Sequence, residues 1–273
     1  MAPKNQYKKL RSGNSPNFIT LDGVKLETAW HGPGPNEVPT LVFLHEGLGC
    51  VSMWRDFPAQ VATATGCGAL VYSRQGYGRS DACDLPRPIE FMHHEGLRVL
   101  PDIIKTLGIN DHMLIGHSDG GSIALLYAGH TKDQGLRGVI TEAAHVICEP
   151  ISVKSIQTAK KMYLENNLRS KLAKHHGPNT DNAFWGWNDI WLDPDFLKWN
   201  IENHLPGINV PMLVMQGADD PYGTWAQVEA ILSGTSKHAQ ALKIKACGHC
   251  PHFEQPSLTF NTMVDFIHYT LHV

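Results

Sequence analysis

Met113-Leu114-Ile115-Gly116-His117-Ser118-Asp119-Gly120-Gly121-Ser122-Ile123-Ala124-Leu125-Leu126 is the stretch on which the reading of this chain turns. An apolar run enters it, and a segment rich in alanine, leucine and isoleucine leaves it. Between them, Gly116, Ser118 and Gly120 fit the pattern G-x-S-x-G. The glycines permit a sharp turn from strand to helix, and that turn presents a serine hydroxyl at the carboxyl edge of a sheet. The pattern alone arises often by chance. The strand before it and the helix after it give it weight.

Working outward, the same strand-then-helix rhythm recurs. Upstream, Asn17 to Leu21 and Val24 to Trp30 flank Asp22-Gly23 and read as a β-hairpin. Thr40 to Leu44 and Ala69 to Tyr72 are continuous apolar runs, as expected of strands covered on both faces. Ser52 to Thr65 reads as a helix with Ser52 as its N-cap, and Ile89 to Leu107 as a helix closed by Gly108. Downstream come a strand at Leu136 to Ala143, another at Val210 to Gln216, a helix at Thr224 to Leu232, a strand at Ala241 to Lys245 and a helix at Gln255 to Leu271. Strands alternating with helices imply a mostly parallel sheet flanked by helices. From 145 to 204 the rhythm stops, and helical stretches broken at Pro178 and Pro194 replace it.

Composition excludes several classes. The chain has 273 residues, 42% hydrophobic and 18% charged, enough to bury a core without disulfide or metal staples. A net charge of -3 argues against a nucleic-acid surface. No apolar run is long enough to span a membrane. The basic N-terminal tail has no apolar segment behind it and reads as solvated chain rather than a secretory signal. Six scattered cysteines read as reduced, mostly buried thiols, which makes the cytoplasm the expected compartment. The outlier is histidine, at 16 residues: a metal or pH device, or scatter around one working residue.

A serine hydroxyl needs a base, and the base needs an orienting carboxylate. Both follow in chain order. Leu213-Val214-Met215-Gln216-Gly217-Ala218-Asp219-Asp220 is a buried strand running into a turn with two acids, and Cys247-Gly248-His249 follows the last strand. Each group falls at a strand's carboxyl end, where α/β ligands bind.

Four further segments strengthen the case: Leu44-His45-Glu46-Gly47, Tyr72-Ser73-Arg74-Gln75-Gly76-Tyr77-Gly78-Arg79-Ser80, Gly217-Ala218-Asp219-Asp220 and Gly248-His249-Cys250-Pro251-His252-Phe253-Glu254. With the serine turn, they make residues 17–272 resemble the α/β-hydrolase fold family. In order, they resemble its His-Gly oxyanion loop, its D-x-R-G-x-G-x-S segment, its G-x-x-D acid turn and its G-H-x-P-H-x-E base loop. The resemblance implies a triad of Ser118, Asp220 and His249, with Asp219 the competing acid. It also implies an oxyanion hole from the backbone N–H groups of Gly47 and Asp119. Two residues depart from the pattern. Glu46 brings a carboxylate to the oxyanion loop, and Ser73 replaces the usual aspartate.

Other motifs have plainer readings. Cys247-Gly248-His249-Cys250 matches a disulfide-isomerase pattern, but it follows a strand and precedes a proline rather than opening a helix. A zinc site there would consume the base, and no second ligand pair has the right spacing, so no metal is expected. There is no Walker A and no G-x-G-x-x-G, so no cofactor is expected. His252 reads as a structural residue under the last helix. His93, His94, His175 and His176 lie in expected helices or near their ends and read as solvated or cap-side residues.

The insertion resembles a helical cap. Four of the seven tryptophans lie in it, and Trp185 and Trp187, with Glu46 and Tyr222 of the core, are candidate substrate contacts. Between Ser152 and His176, six lysines and arginines face Glu165 alone; the plain reading is a solvated helix face, the sharper one a carboxylate-bearing substrate. The expectation is an α/β-hydrolase core of 17–144 and 205–273, a cap of 145–204 and a tail of 1–16. Its function is cofactor-independent hydrolysis of a small carboxylic ester or lactone through an acyl-enzyme. The alternatives are C–C bond hydrolysis, another reaction on the same triad, or a slow-turnover ligand sensor. The only partner expected is a small-molecule substrate, with neither nucleic acid nor membrane.

Overall fold

Asp22 and Gly23, with φ of 47° and 86°, turn the chain between β1 (Asn17–Leu21) and β2 (Val24–His31). Two consecutive left-handed residues are what a two-residue hairpin of right-twisted strands requires. This is the start of a computed structural model that describes residues 17–235 and 239–272; the tail expected at 1–16 lies outside them.

Six more strands complete the sheet: β3 (Thr40–Leu44), β4 (Gly68–Tyr72), β5 (His112–His117), β6 (Leu136–Glu142), β7 (Met212–Gly217) and β8 (Ala239–Ile244). Their spatial order is β1-β2-β4-β3-β5-β6-β7-β8. β2 pairs antiparallel with both neighbours, and every pairing from β4 to β8 is parallel. Every residue of β3, β4, β5 and β7 is buried. The reason is that helices cover both faces. Leu41, Phe43, Met113 and Ile115 pack toward α1 (Phe57–Thr65) and the C-terminal helix Pro256–Leu271. Their alternates Val42, Leu44 and Leu114 face the opposite layer.

Two helix expectations need correction. The helix expected at 52–65 is split into a 3-10 turn, Val51–Trp54, and α1, with Arg55 at φ 51° between them. Pro58 is the cause: it lacks an N–H, and its ring would collide with the Trp54 carbonyl in a continuous helix. Ser52 therefore caps nothing; its hydroxyl lies 2.9 Å from His175 Nδ1. The helix expected at 89–107 is α2 (Phe91–His94), a π-helical turn (Glu95–Val99) and α3 (Leu100–Leu107), closed by Gly108 at φ 67° as expected. Beyond them, α4 (Asp119–His130) leaves the serine turn.

Between β6 and β7 lie α5 (Pro150–Glu165), α6 (Leu168–His176) and α7 (Thr180–Trp191), followed by 3-10 turns at Phe196–Lys198 and Glu202–Gly207. The two ends of this segment are joined by an isolated bridge, Ile147 to Asn200. A ring cluster, Trp191 tilted against Phe196 at 4.8 Å and Phe196 stacked on Trp199 at 5.3 Å, fixes the exit. The chain then enters β7. After it, α8 (Trp225–Gly234) is capped by the Thr224 hydroxyl. A short helix, α9 (Pro251–Glu254), precedes α10 (Pro256–Leu271). Among the described residues, no helix is long and apolar enough to cross a membrane.

Candidate active site

Ser118 sits between β5 and α4 with φ 52° and ψ -117°. A non-glycine residue holds this strained backbone only where its surroundings enforce it. The enforcement is close packing. A Cβ at Gly116 would come within 2.3 Å of the Gly120 carbonyl oxygen, and one at Gly120 within 2.0 Å of that of Leu44. The Ser118 N–H donates to Glu142 O at 2.8 Å, tying the turn to β6.

Asp220 follows β7 and is buried, whereas the Asp219 side chain is exposed. Both oxygens of Asp220 lie 2.9 Å from His249 Nδ1. Gln216 Nε2 donates to Oδ2 at 2.7 Å and the Tyr222 N–H to Oδ1 at 2.8 Å. Burial pushes the Asp220 carboxyl up, but the His249 hydrogen bond and charge and the Tyr222 N–H outweigh it and hold the group below the usual carboxylate range. Of the two acids, the structure brings Asp220 to the histidine. The base loop is stitched from both sides. Glu254 accepts from the N–H groups of Gly248 at 2.7 Å and Cys250 at 2.9 Å. From the other side, His117 Nε2 donates to the His249 carbonyl at 2.7 Å.

Ser118, Asp119 and His249 line one cavity of about 350 Å³, together with Gly47, Trp187 and Tyr222. Asp119 opens α4, so its backbone N–H has no intrahelical acceptor and lies at the positive end of the helix. Its carboxylate is fully buried, 4.0 Å from Arg74. Burial pushes that carboxyl up and Arg74 opposes it without prevailing. Arg74 is itself buried and donates to the carbonyls of His45 and Glu46, bracing the loop that carries Gly47.

Several expected residues fall into place and others do not. Glu46, Trp187 and Tyr222 line the cavity; Tyr222 lies 4.7 Å from the His249 ring. Trp185 does not. It packs on Tyr163 at 5.6 Å, with Lys160 above its ring. Helical geometry explains the difference: Trp187 and Trp191 are four apart and share a face, while Trp185 is turned away by about 200°. None of the six cations between Ser152 and His176 lines this cavity. His176 is not solvated. It is fully buried, accepting from the Gly78 N–H at 2.9 Å and donating to Leu48 O at 2.9 Å. His252 bonds Glu142 at 2.8 Å and stacks on Trp54 at 4.9 Å, a structural role under the last loop. All six cysteines are unpaired, and no group of three or more metal-ligating side chains is found among the described residues.

Two contributions escape sequence reasoning. Ser73 lacks the aspartate's charge, but Glu27 of β2 supplies a carboxylate from across the sheet. Its Oε2 accepts from Ser73 Oγ at 2.8 Å and Arg79 N at 3.0 Å. His145, at the start of the insertion, lines the cavity and lies 5.9 Å from the His249 ring. Burial, then the neighbouring His249, pushes its pKa down to about 3. Nothing local in the sequence marks either residue, since both arrive through tertiary contacts.

A model described as "Alpha/beta hydrolase family" matches residues 41–262. Among curated relatives, a proline iminopeptidase of Lactobacillus delbrueckii subsp. bulgaricus is 27% identical over 58% of this chain and 54% of its own length. The chain thus spans about half the length of the curated relatives it first matches. A 2-hydroxy-6-oxo-6-phenylhexa-2,4-dienoate hydrolase of Burkholderia cepacia is 20% identical over 95% of this chain and 98% of its own. Among solved structures, VinJ matches with a TM-score of 0.74 at 20% identity, covering 94% of this chain and 99% of that one. The enol-lactonase of Burkholderia xenovorans LB400 gives 0.70 at 20% identity, covering 92% and 99%. By its sheet order, its strained serine turn and the extent of the family match, the chain belongs to the alpha/beta hydrolase family.

Proposed function

We propose that this chain is a cofactor-independent serine hydrolase that cleaves a small carboxylic ester or lactone through an acyl-enzyme. The observation that carries the reading is the Asp220–His249 pair, whose histidine lines the cavity that also holds the strained Ser118. Ser118 Oγ attacks the carbonyl carbon as His249 Nε2 takes its proton. Asp220 holds the Nδ1 proton in place and stabilises the imidazolium. The tetrahedral oxygen accepts hydrogen bonds from the backbone N–H groups of Gly47 and Asp119. Losing one such donor costs about 3–4 kcal/mol of transition-state stabilisation. His249 then protonates the departing alcohol, and water, deprotonated by the same histidine, releases the acid.

Residues 145–204 act in this reading as a cap. Trp187, Ile156, Leu168 and Leu172 supply the apolar wall over the serine. The cavity of about 350 Å³ suits a small substrate. The test is labelling by a fluorophosphonate probe and turnover of p-nitrophenyl esters over a series of acyl lengths. The wild type is expected to label and to turn over, and Ser118→Ala to do neither; labelling that persists in the variant refutes the nucleophile. The full-length similarity to a dienoate hydrolase keeps C–C bond cleavage as a second reading. A vinylogous diketone turned over faster than any ester would favour it.

A further inference from the structure

The cavity wall carries a carboxylate that the acyl-transfer chemistry does not use. Glu46 precedes Gly47, lines the cavity and keeps about a fifth of its side chain exposed, 21%. Around it the wall on the insertion side is mostly apolar, with His145 and Ser152 its polar members, and no lysine or arginine among the described residues lines the cavity. The carboxylate curls back over Gly49, where a Cβ would come within 2.2 Å of Oε2. That oxygen lies 3.6 Å from Nδ1 of His117. His117 is in turn held by its bond to the His249 carbonyl. Burial pushes the Glu46 carboxyl up, but His117, then His45, outweigh it and keep the group ionised well below the usual carboxylate range.

Although His117 lies 3.6 Å away and offsets part of it, a negative charge one residue from an oxyanion donor is a liability for a neutral substrate. It opposes the charge that develops on the tetrahedral oxygen, in a pocket that screens poorly. A cation placed between the two turns the liability into stabilisation. The α- and β-carbons of an acyl group lie within two bonds of the carbonyl held at Gly47, which brings a protonated amine on either carbon into the cavity that Glu46 lines. A carboxylate there meets repulsion instead, which sharpens discrimination from both sides.

We infer that Glu46 is a specificity-determining residue that selects esters whose acyl group carries a protonated amine next to the carbonyl, an inference resting on the serine-hydrolase reading above. The matched probes are p-nitrophenyl esters of alanine and isobutyrate, and of 3-aminopropanoate, butanoate and succinate. All are assayed at pH 6.5 with spontaneous hydrolysis subtracted. In the wild type, kcat/KM is expected to favour each ammonium ester over its alkyl isostere by about tenfold or more, as one charge-assisted hydrogen bond supplies. The hemisuccinate is expected to be the poorest substrate. In Glu46→Gln the ammonium-to-alkyl ratio is expected to fall by about tenfold, toward the ratio of the esters' spontaneous reactivities, and the hemisuccinate to gain relative to butanoate. A wild-type ratio near unity, or a ratio unchanged in Glu46→Gln, overturns the inference. Glu46→Asp, which keeps the charge, is expected to retain part of the preference; a ratio as low as that of the glutamine variant overturns a role for the charge. Turnover persisting in Ser118→Ala overturns the underlying serine-hydrolase reading instead, so the two failures are separable.

Discussion

At the scale of single residues, the acid turn offers a sharp test, because two adjacent aspartates have opposite environments. Asp220 is buried against His249, and Asp219 points to solvent. Replacing Asp220 by asparagine removes the carboxylate that fixes the Nδ1–H tautomer. The expected loss in kcat on a p-nitrophenyl ester is about ten-thousand-fold. Asp219→Asn should stay close to wild type; equal losses at both positions would assign the acid wrongly. The triad candidates were legible in the sequence because each sits in a short turn with its own local chemistry: glycines around Ser118, Gly217 before Asp220, Gly248 before His249. Glu27, His145 and His176 were not legible. His145 reaches the cavity, and Glu27 and His176 reach the loops around it, from other elements, and no neighbour in sequence records those contacts. Trp185 was misread for a related reason: a cluster of tryptophans says nothing of which side faces inward until the helical phase is known.

At the scale of elements, strand ends hold the loops in register. Glu142, the last residue of β6, accepts at one oxygen from both the backbone N–H and Nδ1 of His252, at 3.1 and 2.8 Å. Burial pushes its carboxyl up, but the His252 charge and hydrogen bonds prevail and hold it below its ordinary value. A depressed carboxyl binds fewer protons folded than unfolded. Its contribution is therefore complete above the unfolded pKa of about 4.3 and is lost as pH falls through the folded value. Glu142→Gln should lose about 1–3 kcal/mol at pH 7 in urea unfolding. The gap to wild type should narrow on acidification below about pH 4. A gap independent of pH would mean that the pair is held by shape alone. The strands β3 and β4 and the hairpin were readable, to within one residue at either end, from apolar runs and Asp22-Gly23. The break at Arg55 was also encoded, in Pro58, although the helical pattern on either side masked it.

At the scale of the whole molecule, the excess of histidine acquires a consequence. His45, His112, His145 and His176 are buried in different parts of the fold, and burial is the leading cause that lowers the pKa of each. A histidine neutral when folded but free to charge when unfolded lets the unfolded state bind more protons below about pH 6.5, so stability falls on acidification. Each such group costs about 1 kcal/mol between pH 6.5 and 5.5. Asp119 and Glu95, whose carboxyls burial pushes up, work in the opposite sense by holding protons in the folded state. His117 is raised well above its ordinary value: burial, the largest single influence, opposes this, and Cys250 and Glu46 outweigh it. It adds stability below the unfolded pKa and loses it as pH rises through the folded value, so it does not steepen the acid limb. The net expectation is a loss of about 2–4 kcal/mol between pH 7 and 5.5, before surface carboxylates begin to titrate. His112 isolates one share of it. It opens β5, packs at 5.9 Å from the Tyr127 ring, and neither of its ring nitrogens makes a hydrogen bond of good geometry, the Asn110 backbone adding a weaker contact. His112→Leu removes a buried polar ring whose only hydrogen-bonding contact, with the Asn110 backbone, is poorly formed, so it should be neutral or stabilising at pH 7. At pH 5.5 it should gain about 1 kcal/mol more over wild type, read as a shallower dependence of the urea midpoint on pH. A parallel pair of midpoint curves for variant and wild type would place the acid sensitivity outside the histidine core.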